Sequence, residues 1–313
     1  MVPASPGRVF LTLVELNSGY NWDINKMNKR IFNFLFYIAA FFLLFGCNRL
    51  DNIEYSPKIT PEEFLKAQHW MKIQLGNSGF VLSQPISSFI VYFVSLFDIY
   101  VAYKFLSNIQ NQKSKLWWGI GLFLTGAGAL FAGTSYQAFG YEIKCNGKEF
   151  CSWTSWWEII YMLFSGPGMN AFLIASAYSN ATGKFRNTII YYAYINTFLY
   201  TALLLIGAII PIQFFVSFEC LMLFSTPSVI FFVWIYGSAY GKNKDNMNLY
   251  LRNTWLILIA VIVTYIAYLI LGITKPLWEM GIWFTENDAL HVGMIYWVYY
   301  IMKKLPGEVK DLA

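Results

Sequence analysis

The stretch NTWLILIAVIVTYIAYLIL, residues 253–271, decides the fold class, because it contains no charged side chain over its whole length. A helix needs about 20 apolar residues to cross a bilayer core of about 30 Å. The 313-residue chain has the same character throughout, with 57% hydrophobic and 12% charged residues and a mean hydropathy of +0.47. Soluble domains carry about 25% charged residues. This composition excludes a soluble globular enzyme, a disordered chain and a disulfide-rich secreted domain.

Eight segments have the length and apolar content of a membrane-spanning helix. Helices are expected rather than barrel strands, since runs such as 257–271 do not alternate apolar and polar residues. The segments are 31–47, 86–106, 117–136, 157–178, 188–210, 212–236, 253–273 and 278–302. The sequence therefore predicts an all-α membrane protein in four parts. These are an N-terminal extension with a first hydrophobic segment (1–47), an outer segment (48–85), a seven-span membrane domain (86–302) and a cytoplasmic tail (303–313).

The distribution of positive charge predicts the orientation, because Lys and Arg concentrate in cytoplasmic loops. Basic residues follow alternate spans, at Lys104, Lys113, Lys115, Lys184, Arg186, Lys242, Lys244, Arg252, Lys303, Lys304 and Lys310. These ends, and the C-terminus, are expected to be cytoplasmic. Residues 27–47, with a basic start and an apolar run ending in Gly46-Cys47, are typical either of a bacterial lipoprotein signal or of a first transmembrane helix. A bacterial inner membrane is the expected location.

The outer segment begins a helix at Thr60-Pro61-Glu62-Glu63, which has the pattern of a capping box with proline at the first helical position. Apolar residues then recur on one helical face, at Phe64, Ala67, Trp70, Met71 and Leu75. The pattern predicts an amphipathic helix on the outer membrane surface. His69 is expected to be an ordinary surface histidine on it.

Cys145 and Cys151 flank a short polar loop between the third and fourth segments, on the side expected to be outside. A disulfide is the favoured interpretation, since that side faces an oxidising compartment. A thiolate metal pair is the alternative, although the spacing does not match a two-residue knuckle.

Ionisable residues inside transmembrane segments are expensive and are functional candidates by default. Those expected near the outer side are Glu142, Glu158, Glu219, Glu286, Asp288 and His291, together with Gln84, Ser87, Ser88, Thr134, Ser135, Gln137 and Asn287. We expect these side chains to meet in one pocket. Asp98 lies deeper, in the inner half of its span. Pro167 and Pro227 interrupt two spans, and such kinks either open a cavity for a lipid or ion or serve helix packing.

Three short motifs resemble the CREST superfamily of seven-span membrane hydrolases, which includes alkaline ceramidases. They are Gln84-Pro85-Ile86-Ser87-Ser88, Gly133-Thr134-Ser135-Tyr136-Gln137-Ala138 and Asn287-Asp288-Ala289-Leu290-His291. The resemblance implies a seven-span fold, a lipid amide or ester substrate and a metal site of three histidines. Gln137 and Asn287 stand where the family has histidine, and the chain has two histidines in all. Only His291 matches a ligand position.

Two functions follow as hypotheses. In the first, the protein is a lipid hydrolase in which His291 acts as base or ligand, Asp288 or Glu219 orients it, and Ser88 or Ser135 stabilises an oxyanion. Gln137, Glu219, Asn287 and Glu142 would then bind substrate, and a zinc at His291 remains open but not favoured. In the second, the protein is a non-enzymatic lipid-binding sensor or receptor, or a proton- or cation-coupled transporter using Asp98 and Glu219. Membrane lipid is the expected partner, and the scattered basic residues exclude nucleic acid.

Overall fold

A computed structural model describes residues 49–312, and long helices make up most of this region. The helices are α1 (Pro61–Lys66), α2 (Pro85–Leu106), α3 (Lys113–Ala132), α4 (Gly140–Lys144), α5 (Trp156–Asn180), α6 (Gly183–Ile209), α7 (Phe218–Asn243), α8 (Asn246–Ile270), α9 (Thr274–Glu279) and α10 (Glu286–Lys304). A π-helical segment, Gly133–Ala138, continues α3, and strands β1 (Trp70–Leu75) and β2 (Ser78–Ser83) form a hairpin.

Six helices of the described region are long and apolar enough to cross a membrane, namely α2, α3 with its π-helical extension, α5, α6, α7 and α8. The predicted all-α membrane bundle is therefore confirmed, and the chain is a multi-pass membrane protein. The hydrophobic segment 31–47 lies outside the described residues. A further long helix, α10, packs against α2 and α8 and spans about 28 Å at 1.5 Å per residue.

Two spans were predicted to begin earlier than their helices do, because apolar residues precede the first residue of each helix. The segment predicted from 212 starts as a 3₁₀ turn, Gln213–Val216, and α7 begins at Phe218, where Ser217 caps it by accepting a hydrogen bond from Cys220 N. The segment predicted from 278 contains the turn at Gly281, and α10 begins at Glu286 behind a capping box. Side-chain caps, rather than hydropathy, set these starts.

The predicted amphipathic outer helix is wrong beyond its first turns. Its start is confirmed, since Thr60 and Glu63 form the capping box, but α1 ends at Lys66. Residues 70–83 instead form the β-hairpin, whose two-residue turn places Gly76 at φ +59°, a value that glycine adopts without strain. Alternating apolar residues in 71–75 and the Gly76-Asn77 pair are the hairpin pattern that the helical interpretation overlooked.

Aromatic side chains from five helices pack in the middle of the bundle. Trp255 of α8 stacks on Phe232 of α7 with ring centroids 3.9 Å apart, and Trp118 of α3 lies 4.9 Å from Phe172 of α5. Trp297 of α10 donates its indole N–H to the carbonyl of Thr254 at 2.9 Å, so its polar atom is satisfied in the core. These rings hold α3, α5, α7, α8 and α10 around one apolar centre.

The last residues fold back onto the bundle rather than extending as a free tail. Leu305 and Val309 are fully buried. The carboxylate of Asp311 accepts hydrogen bonds from the backbone N–H groups of Lys113 (2.9 Å) and Ser114 (2.8 Å), capping the start of α3 from a distant part of the chain. We call this end of the bundle the C-terminal face, and the opposite end, with Cys145 and Cys151, the disulfide face.

Candidate functional site

Ser135, a predicted catalytic residue, lies in a buried polar network at the disulfide face. Its Oγ donates to Glu158 Oε1 at 2.8 Å and lies 2.7 Å from Ser155 Oγ. Lys144 Nζ forms an ion pair with the same carboxylate oxygen at 2.8 Å, and Thr154 donates to the other oxygen at 3.0 Å. The Lys144 and Glu158 side chains are 4% and 2% exposed. This network seals Ser135 from substrate and ties the end of α3 to the start of α5.

The charge of Lys144 is maintained despite its burial. Burial disfavours the ammonium form, but the attraction and hydrogen bond of Glu158, together with Tyr55, outweigh this cost and hold the pKa of Lys144 above its ordinary value. The neighbouring residue Cys145 forms a disulfide with Cys151, which confirms the predicted pairing. The ion pair and the disulfide together fix the loop between α3 and α5.

Asp288 and His291 lie in the first two turns of α10. Asp288 Oδ2 accepts hydrogen bonds from Thr285 N (2.7 Å) and Thr285 Oγ1 (3.0 Å), so this carboxylate acts as a helix cap. Its Oδ1 and the Nδ1 of His291 are both buried without a hydrogen-bond partner. Asn287, which directly precedes Asp288 in the chain, is half-buried. These two unpartnered atoms are the groups at the start of α10 that could form a hydrogen bond to a ligand.

Ser88, the other predicted catalytic serine, bonds to nearby backbone. Its Oγ donates to the carbonyls of Gln84 at 2.9 Å and Ser83 at 3.2 Å. Serine in membrane helices commonly bonds to backbone in this way. The hydroxyl therefore stabilises the junction between β2 and α2.

His69 is half-buried in an aromatic stack, so its prediction as an ordinary surface histidine is wrong. Its ring lies 4.5 Å from the ring centroids of both Trp278 and Trp283. These three rings line a cavity of about 10 Å³ with Gln84 and Thr285, which is the space of about one water molecule. The stack docks the hairpin onto the loop before α10.

The remaining predicted site residues are dispersed. Gln137 is buried and its Oε1 has no hydrogen-bond partner. Glu142 accepts a hydrogen bond from Val81 N at 2.7 Å and so holds the hairpin. Glu219 is exposed in the first turn of α7, rather than two turns inside a span. Asp98 is buried in α2, and its Oδ1 has no partner.

The predicted single pocket does not form as one bonded cluster. Within residues 49–312, no hydrogen bond or ion pair links His291 or Asp288 to Ser135, Glu142 or Glu219. In the same region, no three His, Cys, Asp or Glu side chains are grouped closely enough to hold a metal ion. The three-histidine site that the resemblance implies therefore has no counterpart among the described residues.

A lateral groove separates α6 from α7, although these helices are consecutive. Helix α6 packs mainly on α5, whereas α7 packs on α5 and α8. Two apolar cavities, of about 360 and 270 Å³, open between α6 and α7 at the side of the bundle. Both are lined by Tyr192 and Pro227, so they adjoin. We call this pair of cavities the lateral groove.

Polar atoms without partners lie in the lateral groove. Ser228 of α7 is 1% exposed, and its Oγ has no hydrogen-bond partner. Asn196 of α6 donates to the carbonyl of Phe224 at 3.0 Å and so bridges the helices, but its Oδ1 is unpartnered. Buried polar atoms nearly always have a partner. These two atoms are therefore exceptions to that rule in the wall of the groove.

A third cavity, of about 610 Å³, lies at the C-terminal face and shares Phe185 with the lateral groove. We call it the polar cavity. Its charged lining residues are Lys242, Asp245, Glu308 and Lys310, and asparagines 180, 243, 246 and 248 add amide groups. The groove and the cavity together run from an apolar interior to a polar mouth.

Not all charged side chains of the polar cavity pair with one another. Asp245 caps α8 by accepting from Asn248 N (2.8 Å) and Asn248 Nδ2 (2.7 Å). Burial opposes its ionisation, but these hydrogen bonds and the charge of Lys310 keep the pKa of Asp245 below its ordinary value. Within the described residues, Lys242, Lys310 and Glu308 form no direct ion pair.

Pro227 is an indication of the groove that is visible in the sequence. Proline cannot donate a backbone hydrogen bond, and a kink that opens a cavity for a lipid or ion was one of two interpretations of this residue. The groove-lining residues of α6 recur every three or four positions, at Phe185, Ile189, Tyr192, Asn196 and Leu199. Such spacing is equally typical of a helix face packed against a neighbour. It therefore could not distinguish a groove from a core.

These features define a multi-pass membrane protein with a lateral groove that leads to a polar cavity. Residues 87–307 match the model of DUF6962, a family of unknown function, and the chain belongs to this family. The match runs from the first turn of α2 past the end of α10, and so includes the whole lateral groove. A comparison with curated proteins finds no match.

Proposed function

We propose that this protein is a non-enzymatic membrane protein that binds a phospholipid in the lateral groove. The observation that carries the proposal is the change from apolar to polar lining across three adjoining cavities, which share Tyr192, Pro227 and Phe185. On α7, the groove begins at Leu223 and the lining of the polar cavity begins at Trp234, which is about 16.5 Å away at 1.5 Å per residue. One leaflet of the hydrocarbon core is about 15 Å thick, which is half of about 30 Å. An acyl chain therefore fits the length.

The structural roles of the hydrolase-like residues favour binding over hydrolysis. Ser88 bonds to backbone carbonyls, Asp288 caps α10, and Ser135 belongs to a sealed ion-pair network. A nucleophile or base must reach the reacting group within hydrogen-bond distance. Side chains held in these contacts supply stability rather than chemistry. The resemblance to the CREST superfamily stays a hypothesis about ancestry.

The groove is tested by filling it with a bulky side chain. Thr188 lines the groove, is exposed, and donates its hydroxyl to the carbonyl four residues before it. Thr188→Trp should therefore fold and occupy the space of an acyl chain. Thr264 on α8 is likewise exposed and makes the same type of backbone bond, so Thr264→Trp is a matched control outside the groove.

The measurement is the number of phospholipids retained per protein after detergent exchange, determined by native mass spectrometry. We expect wild type and Thr264→Trp to retain one lipid that Thr188→Trp lacks. Ser228→Phe, which fills the groove from α7, serves as the second blocking variant. Equal lipid retention in both blocking variants and wild type would contradict the proposal.

A lipid amide or ester hydrolase is the second candidate function. The observation favouring it is the pair of unpartnered atoms, Asp288 Oδ1 and His291 Nδ1, one turn apart in α10. Incubating purified protein with fluorescent ceramide and phospholipid esters, with and without zinc, tests it. Turnover that disappears in His291→Ala would establish the hydrolase, and no turnover by wild type under either condition would reject it.

We also propose that the C-terminal face is cytoplasmic. Most of the basic residues that flank the spans lie at this face, and the disulfide lies at the other, where an oxidising compartment would maintain it. A green fluorescent protein fused after Ala313 should fluoresce, and alkaline phosphatase fused there should be inactive. The opposite pair of results would invert the orientation. The bacterial inner membrane stays a prediction from residues 27–47.

A further inference from the structure

Resting on the proposed lipid-binding function, we infer that the polar cavity selects a zwitterionic phospholipid with a primary ammonium group, taken from the leaflet at the C-terminal face. The inference rests on the position of this cavity, which has equal numbers of positive and negative side chains and adjoins the apolar groove. The lining carries two lysines and two carboxylates, Lys242, Lys310, Asp245 and Glu308. A headgroup that carries one charge of each sign complements such a lining.

The two lysines fit the phosphate of such a headgroup. Lys242 lies in the last turn of α7, and Lys310 lies in the segment that folds back after α10. Neither forms a direct ion pair within residues 49–312, so both ammonium groups remain available. Charge-assisted hydrogen bonds to phosphate are about twice as strong as neutral ones. The amides of Asn243 and Asn246 add neutral donors at the same cavity.

Glu308 fits the ammonium group. Each oxygen of Asp245 already accepts a hydrogen bond from Asn248, whereas no side-chain hydrogen bond to Glu308 is formed within residues 49–312, so Glu308 is the carboxylate with more free acceptor capacity in this cavity. Glu308 is exposed and forms no direct ion pair in the described part of the chain. An anionic headgroup would satisfy the lysines with its phosphate but would bring no positive charge to the carboxylates.

The path favours entry from one leaflet. The volumes of the adjoining cavities increase toward the C-terminal face, from about 270 to 360 to 610 Å³. A lipid of that leaflet places its headgroup in the widest, polar part and its chain in the narrow, apolar part. A lipid of the other leaflet would bring its phosphate against Leu199 and Leu223, where unpartnered polar groups are costly.

The test is a competition between lipids with identical palmitoyl and oleoyl chains. Delipidated full-length protein is titrated with phosphatidylethanolamine, phosphatidylglycerol and phosphatidylcholine, and bound lipid is counted by native mass spectrometry. We expect the ethanolamine lipid to bind about 3- to 5-fold more tightly than the glycerol lipid, the ratio that one exposed ion pair supplies. Phosphatidylcholine, whose headgroup has no N–H donor, should bind more weakly than the ethanolamine lipid.

Two variants separate the headgroup contacts. Glu308→Gln should remove the preference for the ethanolamine lipid while leaving binding of the glycerol lipid unchanged or tighter. Lys310→Gln should weaken both lipids, because each carries a phosphate. Glu279→Gln removes an exposed carboxylate at the disulfide face and should change neither.

The outcomes separate this inference from the proposed function. Preference for the glycerol lipid, or equal binding of all three lipids that Thr188→Trp abolishes, would overturn the headgroup assignment while leaving the groove intact. An ethanolamine preference that persists in Glu308→Gln would also overturn it. Failure of every lipid to bind would instead contradict the lipid-binding function itself.

Discussion

Replacing Lys144 by methionine should lower the free energy of unfolding by about 3–5 kcal/mol, because it leaves the carboxylate of Glu158 buried without its counter-ion. The structure sets this magnitude. The ion pair is 2.8 Å long, and neither side chain is more than 4% exposed, so water cannot replace the lost ammonium. Ser135 and Thr154 continue to donate to the carboxylate, which places the loss below the full cost of an isolated buried charge.

The assay is reversible denaturation in detergent micelles, followed by circular dichroism, for a four-member mutant cycle. Lys144→Met combined with Glu158→Gln removes both charges and should recover most of the loss, because a neutral amide can still accept from Ser135. Lys148→Met is the control, since Lys148 pairs with Asp51 at 2.7 Å where the side chains are 31% and 41% exposed. It should lose about 1 kcal/mol or less. A loss below 1 kcal/mol in Lys144→Met, or additive losses in the double variant, would refute the reasoning.

The same ion pair predicts a dependence on alkaline pH. Burial opposes the charged form of Lys144, but the charge and hydrogen bond of Glu158 outweigh this effect. The pKa of Lys144 is therefore raised above its ordinary value of 10.5. A raised pKa means that the stabilisation is complete below the unfolded pKa and is lost as the pH rises through the folded pKa. Wild type should therefore lose stability above about pH 10.5 relative to Lys144→Met, and parallel pH profiles would contradict this assignment.

Three further predictions concern packing, capping and the disulfide. Gly121→Ala should destabilise the α3–α5 contact by about 1–3 kcal/mol, because the new Cβ would lie 2.6 Å from the Phe172 ring, whereas Gly237→Ala, with open space around it, should be neutral in the same denaturation assay. Asp311→Ala should cost about 1 kcal/mol and speed hydrogen exchange at the start of α3, and Asp311→Asn should retain most of the protection; equal exchange in both would contradict the cap. Reducing the Cys145 disulfide should cost about 2 kcal/mol by loop entropy, since it closes a loop of sequence separation 6, and an unchanged midpoint under reductant would contradict this.

The positions of the membrane helices could be predicted because the bilayer fixes their length and apolar content. The span predicted at 86–106 is found at Pro85–Leu106, and the one predicted at 157–178 is found at Trp156–Asn180. The predicted starts of two spans were wrong because apolar residues also occur in the loops before these helices. Residues 212–217 and 278–285 are rich in aromatic and aliphatic side chains, yet the helices start only at the caps Ser217 and Thr285.

The candidate site could be predicted only in part, because polarity identifies residues but not their partners. Ser135 and Asp288 were recognised as buried polar residues, but the sequence does not reveal that a glutamate 23 positions later bonds to Ser135 or that a threonine 3 positions earlier bonds to Asp288. The lateral groove escaped prediction for another reason. A stripe of residues such as Ile189, Tyr192 and Asn196 looks the same whether the next helix packs against it or diverges from it.

The divergence of α6 and α7 follows from where they are held together. Near the disulfide face, Gly207 of α6 lies against Phe215 and Val216 of the connecting loop, where a larger residue would not fit. Further along, the Asn196 bond to the Phe224 carbonyl bridges the helices. Toward the C-terminal face, the cavity between α6 and α7 is larger, about 360 Å³ against 270 Å³, and it adjoins the polar cavity at Phe185. For the lipid that we propose, this widening would let the acyl chain enter first and hold the headgroup at the polar cavity, which gives the groove a direction as well as a volume.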